Sequence, residues 1–387
     1  MYRRLSVVLL LCVCATGAST QSLEDLNIQI HGYATQGFLY TTDNNLFTMT
    51  TSNGSPEWTE AVVNVGATPV SKLRIGFQVR YQLLGNYANG ITLDWAQGDY
   101  KQNDHFGVRF GKVKVPSGLF NETQDIDPSY MFALLPQSIY PLPSRNGQLA
   151  AFGGVAYGSL NEFSKKVGQL QYRFWAGERV LPSNDGYWTA FNESGITLPN
   201  GLSYATTGGA LHWKTPLAGL MFGASIFHTD FAQSSILAGG AIPGKATVVA
   251  TNTPDFFGSY SWKRLMVAAE YDRINGRFGV QITGAPIAAP SPYDDRNGYG
   301  MITYKVTDKF SAGVYDSLEF SPDTPPGPAH YSKDWTFGGR YDFSQYVYAK
   351  AEEHIIDGTA FGYDTTLNPN GLKPNTKLTV LKIGVNF

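Results

Sequence analysis

From Leu73 to Leu83 the chain alternates without a break. Leu73, Ile75, Phe77, Val79, Tyr81 and Leu83 are apolar, and Arg74, Gly76, Gln78, Arg80 and Gln82 between them are polar or glycine. A period of two marks a strand with one oily face and one wet face. About eleven residues at about 3.3 Å each, tilted by about 45°, cross a thin hydrocarbon layer. The pattern recurs. Leu170, Tyr172, Phe174 and Ala176 alternate with Gln169, Gln171 and Arg173, and Trp335, Phe337, Tyr341 and Phe343 with Asp334, Thr336, Arg340 and Asp342. At the chain end Leu381, Ile383, Val385 and Phe387 share one face, and Lys382, Gly384 and Asn386 the other. The apolar face is aromatic toward the strand ends, as in the interface girdles of membrane barrels. An amphipathic edge strand in water would leave backbone groups bare, and closing the sheet removes that edge.

The connections alternate in length. Short turns fall at Thr68–Lys72, Lys101–Asp104, Leu160–Lys166, Lys214–Gly219, Trp262–Arg264, Val306–Lys309 and Asp342–Gln345. Longer loops fall near 42–56, 85–90, 116–147, 178–202, 232–246, 275–296, 320–332 and 357–375. This predicts an all-β fold, a closed transmembrane antiparallel β-barrel of about 16 strands (about 14 to 18), with short periplasmic turns and long extracellular loops. No internal repeat beyond the hairpins and no linker marks a second domain.

Composition changes the surroundings of this barrel. Charged residues are 16% of the chain and aromatics 14%, against about 25% charged in ordinary soluble proteins. No long apolar run follows the amino terminus, which excludes a helical membrane protein. A net charge of -2 does not favour nucleic acid as a partner. Met1-Tyr-Arg-Arg4 followed by apolar Leu5–Ala15 and small residues through Thr20 has the form of a secretory signal peptide over 1–20, leaving a barrel domain over 21–387. Cys12 and Cys14 both lie in that leader. The mature chain then has neither disulfides nor thiol chemistry.

Three segments stand out: His31-Gly32-Tyr33, Gly111-Lys-Val-Lys-Val-Pro-Ser-Gly-Leu-Phe-Asn-Glu-Thr-Gln-Asp125, and the terminal Lys382-Ile-Gly-Val-Asn-Phe387. In them the chain resembles the Gram-negative outer-membrane porins, including the group that contains phosphate-selective porins. The terminal segment is fairly specific for outer-membrane barrels and silent on cargo. Phe387 with its same-face neighbours is read as an assembly signal. The resemblance implies a homotrimer in outer-membrane lipid whose third loop folds inward to narrow the pore.

A lumen of this width is too broad for side chains to fill, so selectivity falls to the charges at its narrowest ring. The alternation places Arg74, Arg80, Arg109, Lys112, Lys114, Arg173, Arg340, Lys350 and Lys382 inward, with Asp94, Glu270, Asp272, Asp334, Asp342 and Glu352. The third loop adds Glu122, Asp125 and Asp127. Arg109, Lys112 and Lys114 facing those three acids would form a pore constriction with a transverse field. Arg74, Arg80, Arg173 and Arg340 would line the lumen. The apolar phase changes at Gly111, and a bulge there would keep all three bases inward. The alternative is that Lys112 and Lys114 solvate the strand end. Bases do not exceed acids, so phosphate selectivity is not carried over.

Other chemistry is thin. The histidines at 31, 105, 212, 228, 330 and 354 stand singly, without metal-ligand spacing. Glu352, Glu353 and His354 sit together near a strand end. No cofactor and no metal is expected. The function that follows is passive diffusion of small hydrophilic solutes or ions. The alternatives are a binding or adhesion barrel with a plugged lumen, and an outer-membrane enzyme, which would need a Ser/His or Asp/His group on the strands.

Overall fold

The computed structural model describes residues 26–87, 89–160 and 166–387. The signal peptide over 1–20 and most of the Leu160–Lys166 turn lie outside them. In chain order the strands are β1 (Gln29–Thr41), β2 (Ser55–Val70), β3 (Leu73–Leu84), β4 (Gly90–Lys101), β5 (Gly107–Lys114), β6 (Ala150–Leu160), β7 (Gln169–Leu181), β8 (Ile196–Thr197) and β9 (Leu202–Lys214). They continue with β10 (Leu220–Thr229), β11 (Ala232–Ala238), β12 (Ile242–Trp262), β13 (Leu265–Ile282), β14 (Ser291–Lys305), β15 (Phe310–Phe320), β16 (Tyr331–Asp342), β17 (Val347–Gly358) and β18 (Asn375–Asn386).

Neighbours pair antiparallel around the ring, and β1 pairs with β18 from Tyr33 opposite Asn386 to Thr41 opposite Leu378. The ring bypasses β8 and β11, because β7 pairs directly with β9 and β10 with β12. That leaves a closed barrel of sixteen strands. Closure gives every strand of the ring two partners, which an apolar surround demands of a spanning sheet. Gly32 and Phe387 exchange backbone hydrogen bonds of 3.2 and 3.0 Å at the seam. The Phe387 ring fills the space that a Cβ on Gly32 would need, 2.7 Å away.

The faces follow the alternation. Phe77, Phe174, Phe337 and Phe387 are 41%, 58%, 51% and 63% exposed on the outside, while Arg80 and Gln78 inside are buried. Among the described residues no helix is long and apolar enough to cross a membrane.

Two expected loops are largely strand. Residues 232–246 form the β11–β12 hairpin, with Ala232 opposite Val248 and Ala238 opposite Ile242. In 275–296, β13 runs on to Ile282 and β14 starts at Ser291. These extensions have an apolar core of their own. Leu181, Trp188, Leu198, Leu202, Ala232, Ile236 and Ala246 are buried together, with Val248, Phe278 and Val280 packed on them. That cluster lets the sheet continue beyond the barrel body where the sequence reading placed loops.

A closed barrel should hold its shape in detergent until boiled. Unboiled protein is expected to migrate on gels differently from boiled protein, with a β-type circular dichroism spectrum. Identical mobility with a helical spectrum would overturn the architecture.

Candidate functional site

The longest connection, 115–149, does not stay outside the ring. Pro116 withholds a backbone donor, and Gly118 takes φ of +67°, a conformation that favours glycine. The chain therefore turns off the end of β5 and crosses to the far wall. There the Gly118 N–H donates to Ser225 Oγ on β10 at 3.2 Å, and the Leu119 N–H to Glu270 Oε1 on β13 at 3.0 Å. Asn121 Nδ2 donates back to the Val115 carbonyl at 2.6 Å, closing the turn on itself.

From that crossing the segment is fastened around the inner wall. Asp125 accepts from Gln78 and Trp95, at 2.9 and 3.0 Å, and pairs with Lys114 at 2.7 Å. Asp127 pairs with Lys350 at 3.1 Å and with Lys382, and accepts from the Tyr348 hydroxyl at 2.6 Å. The N–H groups of Ala133 and Leu134 donate to Glu352. Tyr140 donates to Glu270, and Arg145 pairs with Glu60 at 2.6 Å and Asp94 at 2.7 Å.

The charges explain why the segment tolerates burial. Burial works to raise the Asp127 carboxyl, but the Lys350 and Lys382 ammonium groups outweigh it and hold the acid far below the usual carboxylate range. Burial likewise opposes ionised Glu122, and the Arg109 and Arg173 guanidinium groups bring its carboxyl below the ordinary value. For Arg145, burial disfavours the charge, while Asp94 and Glu60 more than restore it.

The structure gathers most of the expected residues, in separate groups. Arg109 reaches Asp99 at 3.1 Å and Glu122 at 2.7 Å, and Arg173 reaches Glu122 at 3.3 Å. Lys114 meets Asp125, and Asp127 stands apart with Lys350 and Lys382. Arg80 is buried and holds Asp94 at 3.1 Å. Arg340 donates to the Pro128 and Tyr130 carbonyls and so also fastens the segment. Arg74 lies exposed at the short-turn end, beside Gly66.

Lys112 is placed differently from the expectation. The β5 register runs through Gly111 unbroken, with Gln97 opposite Gly111 and Ala96 opposite Lys112. Lys112 therefore sits on the outer face, its Nζ 5.6 Å from the centre of the outward Phe152 ring. The bulge lies in β4 instead, where the pairing with β3 shifts between Gln78 and Val79 and Asp94 is the extra residue. It puts Asp94 and Trp95 both inward. Beyond Lys112 the two strands part, and Lys114 reaches inward from the strand end.

Glu352 and His354 face inward, and Glu353 between them faces out to Thr379. His354 Nδ1 lies 2.9 Å from Asp334 and its Nε2 3.4 Å from Glu352. The imidazole is fully buried, so it braces the carboxylate that anchors Ala133 and Leu134. Among the described residues no group of three or more His, Cys, Asp or Glu is arranged to hold a metal ion.

Several interior residues were missed by sequence reasoning. Arg145, Arg179, Glu60, Asp99, Asp255 and Asp295 carry charge inside, and Trp175, Phe227 and Phe257 make part of the interior apolar. Continuing the alternation from Arg173 would have found Trp175 and Arg179. Arg145, in a loop, carried no such signal. Together with the inward segment, β7, β9, β10 and β12 to β14 enclose a cavity of about 500 Å³.

No protein-family model matches the chain, and neither does any curated protein sequence. Solved structures do match in fold. OmpF of Salmonella typhi, in a complex with daunomycin, superposes with a TM-score of 0.62 at 11% identity, covering 95% of this chain and 99% of that one. The outer membrane channel DcaP of Acinetobacter baumannii gives 0.58 at 10% identity, covering 96% and 100%. An anion-selective porin from Comamonas acidovorans gives 0.53 at 11% identity, covering 93% and 99%. The fold is that of these outer-membrane barrels over nearly the whole chain.

The Asp127 anchor has a defined pH range. A carboxyl whose folded value is lowered contributes fully above the unfolded value of about 3.9 and is lost as pH falls through the folded one. Asp127→Asn leaves two buried ammonium groups without a counter-charge, a loss on the order of 3–5 kcal/mol. Hydrogen exchange at neutral pH should therefore rise over 125–135 in that variant. Unchanged exchange would show that the anchor does not hold the segment.

Proposed function

We propose that the protein is an outer-membrane channel for passive diffusion of small hydrophilic solutes, with the 115–149 segment narrowing the passage. One observation carries this reading. A closed barrel with an apolar, aromatic exterior holds that segment inside, fastened to one side of the wall by ion pairs and to the other by hydrogen bonds. The fold shared with known outer-membrane porins supports the same location and the same class of activity. An enzyme would need a reactive group within reach of substrate, and the Asp334–His354 pair is sealed from the lumen by burial.

A homotrimer fits the outer surface. Gln36 and Thr59 bond to each other at 2.7 Å, and Thr379 to Glu353 at 2.7 Å, all on the outer face of β1, β2, β17 and β18. Lys112 lies outside on β5. Charged groups are costly on a lipid face, by about 2–4 kcal/mol for a lysine at mid-depth. Cover by a neighbouring copy removes that exposure, and cyclic association repeats it without an open end.

A second reading has one observation behind it. Val113, Val115, Val155, Trp175, Ala210 and Phe227 form an apolar cluster inside the ring, which favours a lumen closed at rest and a binding barrel.

Planar-bilayer recording separates the two. Purified trimer should give discrete conductance steps, and folded protein without any current would favour the binding barrel. Thr123 is exposed on the inward segment. Thr123→Cys in the otherwise cysteine-free mature chain, labelled with a trimethylammonium thiosulfonate, should lower single-channel current. An unchanged current in the labelled channel would place the segment outside the permeation path. Sedimentation in density-matched detergent should give three copies, and a monomer would overturn the trimer.

A further inference from the structure

We propose that the large cavity between the inward segment and the wall of β7, β10 and β12 to β14 binds an organic cation, a primary ammonium carried on a flat apolar body. The proposal rests on the channel reading, since it places the cavity on the solute's path. The volume of about 500 Å³ lies within the usual range for small-molecule sites.

The charge around the cavity is lopsided. Asp255, Glu270, Asp272 and Asp295 line it on the β12 to β14 side. The wall bases Arg80, Arg109, Lys114, Arg173, Lys350 and Lys382 are all paired with other acids. Among the described residues none of the cavity carboxylates forms a salt bridge. Glu270 accepts from the Tyr140 and Tyr299 hydroxyls at 2.7 Å, Asp272 from Asn297 at 2.8 Å, and Asp295 from Ser321 at 2.6 Å.

Asp255 is the exception. It is only 3% exposed, and its Oδ1 is a buried oxygen with no hydrogen-bond partner. Its other oxygen is crowded toward Glu270. A Cβ built on Gly118 would lie 2.9 Å from Asp255 Oδ2 and 2.3 Å from Glu270 Oε1. The two carboxyls that converge on this glycine hydrogen-bond to each other and so share one proton, which leaves Asp255 Oδ1 without a donor; an ammonium there supplies that donor and balances the charge the pair keeps. Among the described residues no group of three His, Cys, Asp or Glu ligands is gathered to hold a metal ion, and an ammonium needs no such set.

The remaining wall reads an apolar body. Trp188, Phe191, Tyr204, Phe227, Phe278 and Tyr293 line the cavity. Their ring faces accept a flat partner and tolerate nearby positive charge. Arg179, on the β7 side, lies 4.1 Å from the centre of the Phe227 ring and donates to the Gln148 carbonyl at 2.5 Å. Its positive charge repels an ammonium from that side. A bound amine is thereby oriented, with its cationic end toward β12 and β13 and its ring toward β7.

The test uses four probes against wild-type trimer in a planar bilayer: phenethylamine, ethylamine, 2-phenylethanol and phenylacetate. Phenethylamine should interrupt the potassium chloride current at concentrations about tenfold lower than any other probe, the difference one charge-assisted contact makes. Equal block by phenylethanol or phenylacetate would show that positive charge is not read, and equal block by ethylamine that the ring is not read. Either result overturns the proposal. So does a conducting channel that no probe blocks, and that result leaves the channel reading standing. Asp255→Asn should raise the half-blocking concentration of phenethylamine about tenfold, with heat-modifiable mobility confirming that the variant folds. A folded variant blocked as well as wild type also overturns it. If the protein carries no current, the channel reading falls, and calorimetry of phenethylamine against the detergent-solubilised barrel decides the site: heat of binding supports it, and none overturns it.

Discussion

The structure depends on one constraint. In an apolar surround a backbone N–H or C=O has no water to turn to, so a spanning sheet must pair every edge and close. The β1–β18 seam meets that demand, and its last pair brings Phe387 onto Gly32. Once the ring closes, one face of each strand is committed to the apolar side and the other to the interior. The interior is then wider than its side chains can fill, and the chain fills part of it with its own longest connection.

That connection is held by charge. Glu122, Asp125 and Asp127 each find cations on the wall, and Arg145 finds Glu60 and Asp94. The pairing has a side effect. It consumes Arg80, Arg109, Lys114, Arg173, Lys350 and Lys382, while among the described residues the cavity acids Asp255, Glu270, Asp272 and Asp295 on β12 to β14 form no salt bridge. The lumen is therefore divided into a neutralised half that fastens the segment and an acidic half that faces open space.

Much of the barrel was legible in the sequence, because strict alternation fixes both the strand and its face. Leu73 to Leu83, Asp334 to Phe343 and the terminal strand all sit as their patterns require. The strand count followed from turn spacing, except where β11 to β14 extend beyond the barrel body on an apolar cluster built from separate loops. Lys112 was misplaced for a physical reason: β5 keeps its register, and Val113 and Val115, whose apolar character suggested a change of phase, face inward into the apolar cluster with Trp175 and Phe227. Arg145 and the pairing of each acid were not legible, since both depend on the path of a loop across the lumen. Asp255 was hidden between less regular residues, and its inward face became visible only through its pairing opposite Asp272.

The bulge at Asp94 is a change of parity. Before it, odd-numbered Ile91 and Leu93 face outward; after it, even-numbered Ala96, Gly98 and Tyr100 do. A regular strand in such a wall can gain or lose residues only in twos, because a single insertion would turn the rest of its side chains inside out. β4 has absorbed one odd residue at the point where it leaves β5. That strand is accordingly a place where the wall could accommodate a one-residue change in length without reversing its faces, by keeping or discarding the extra position.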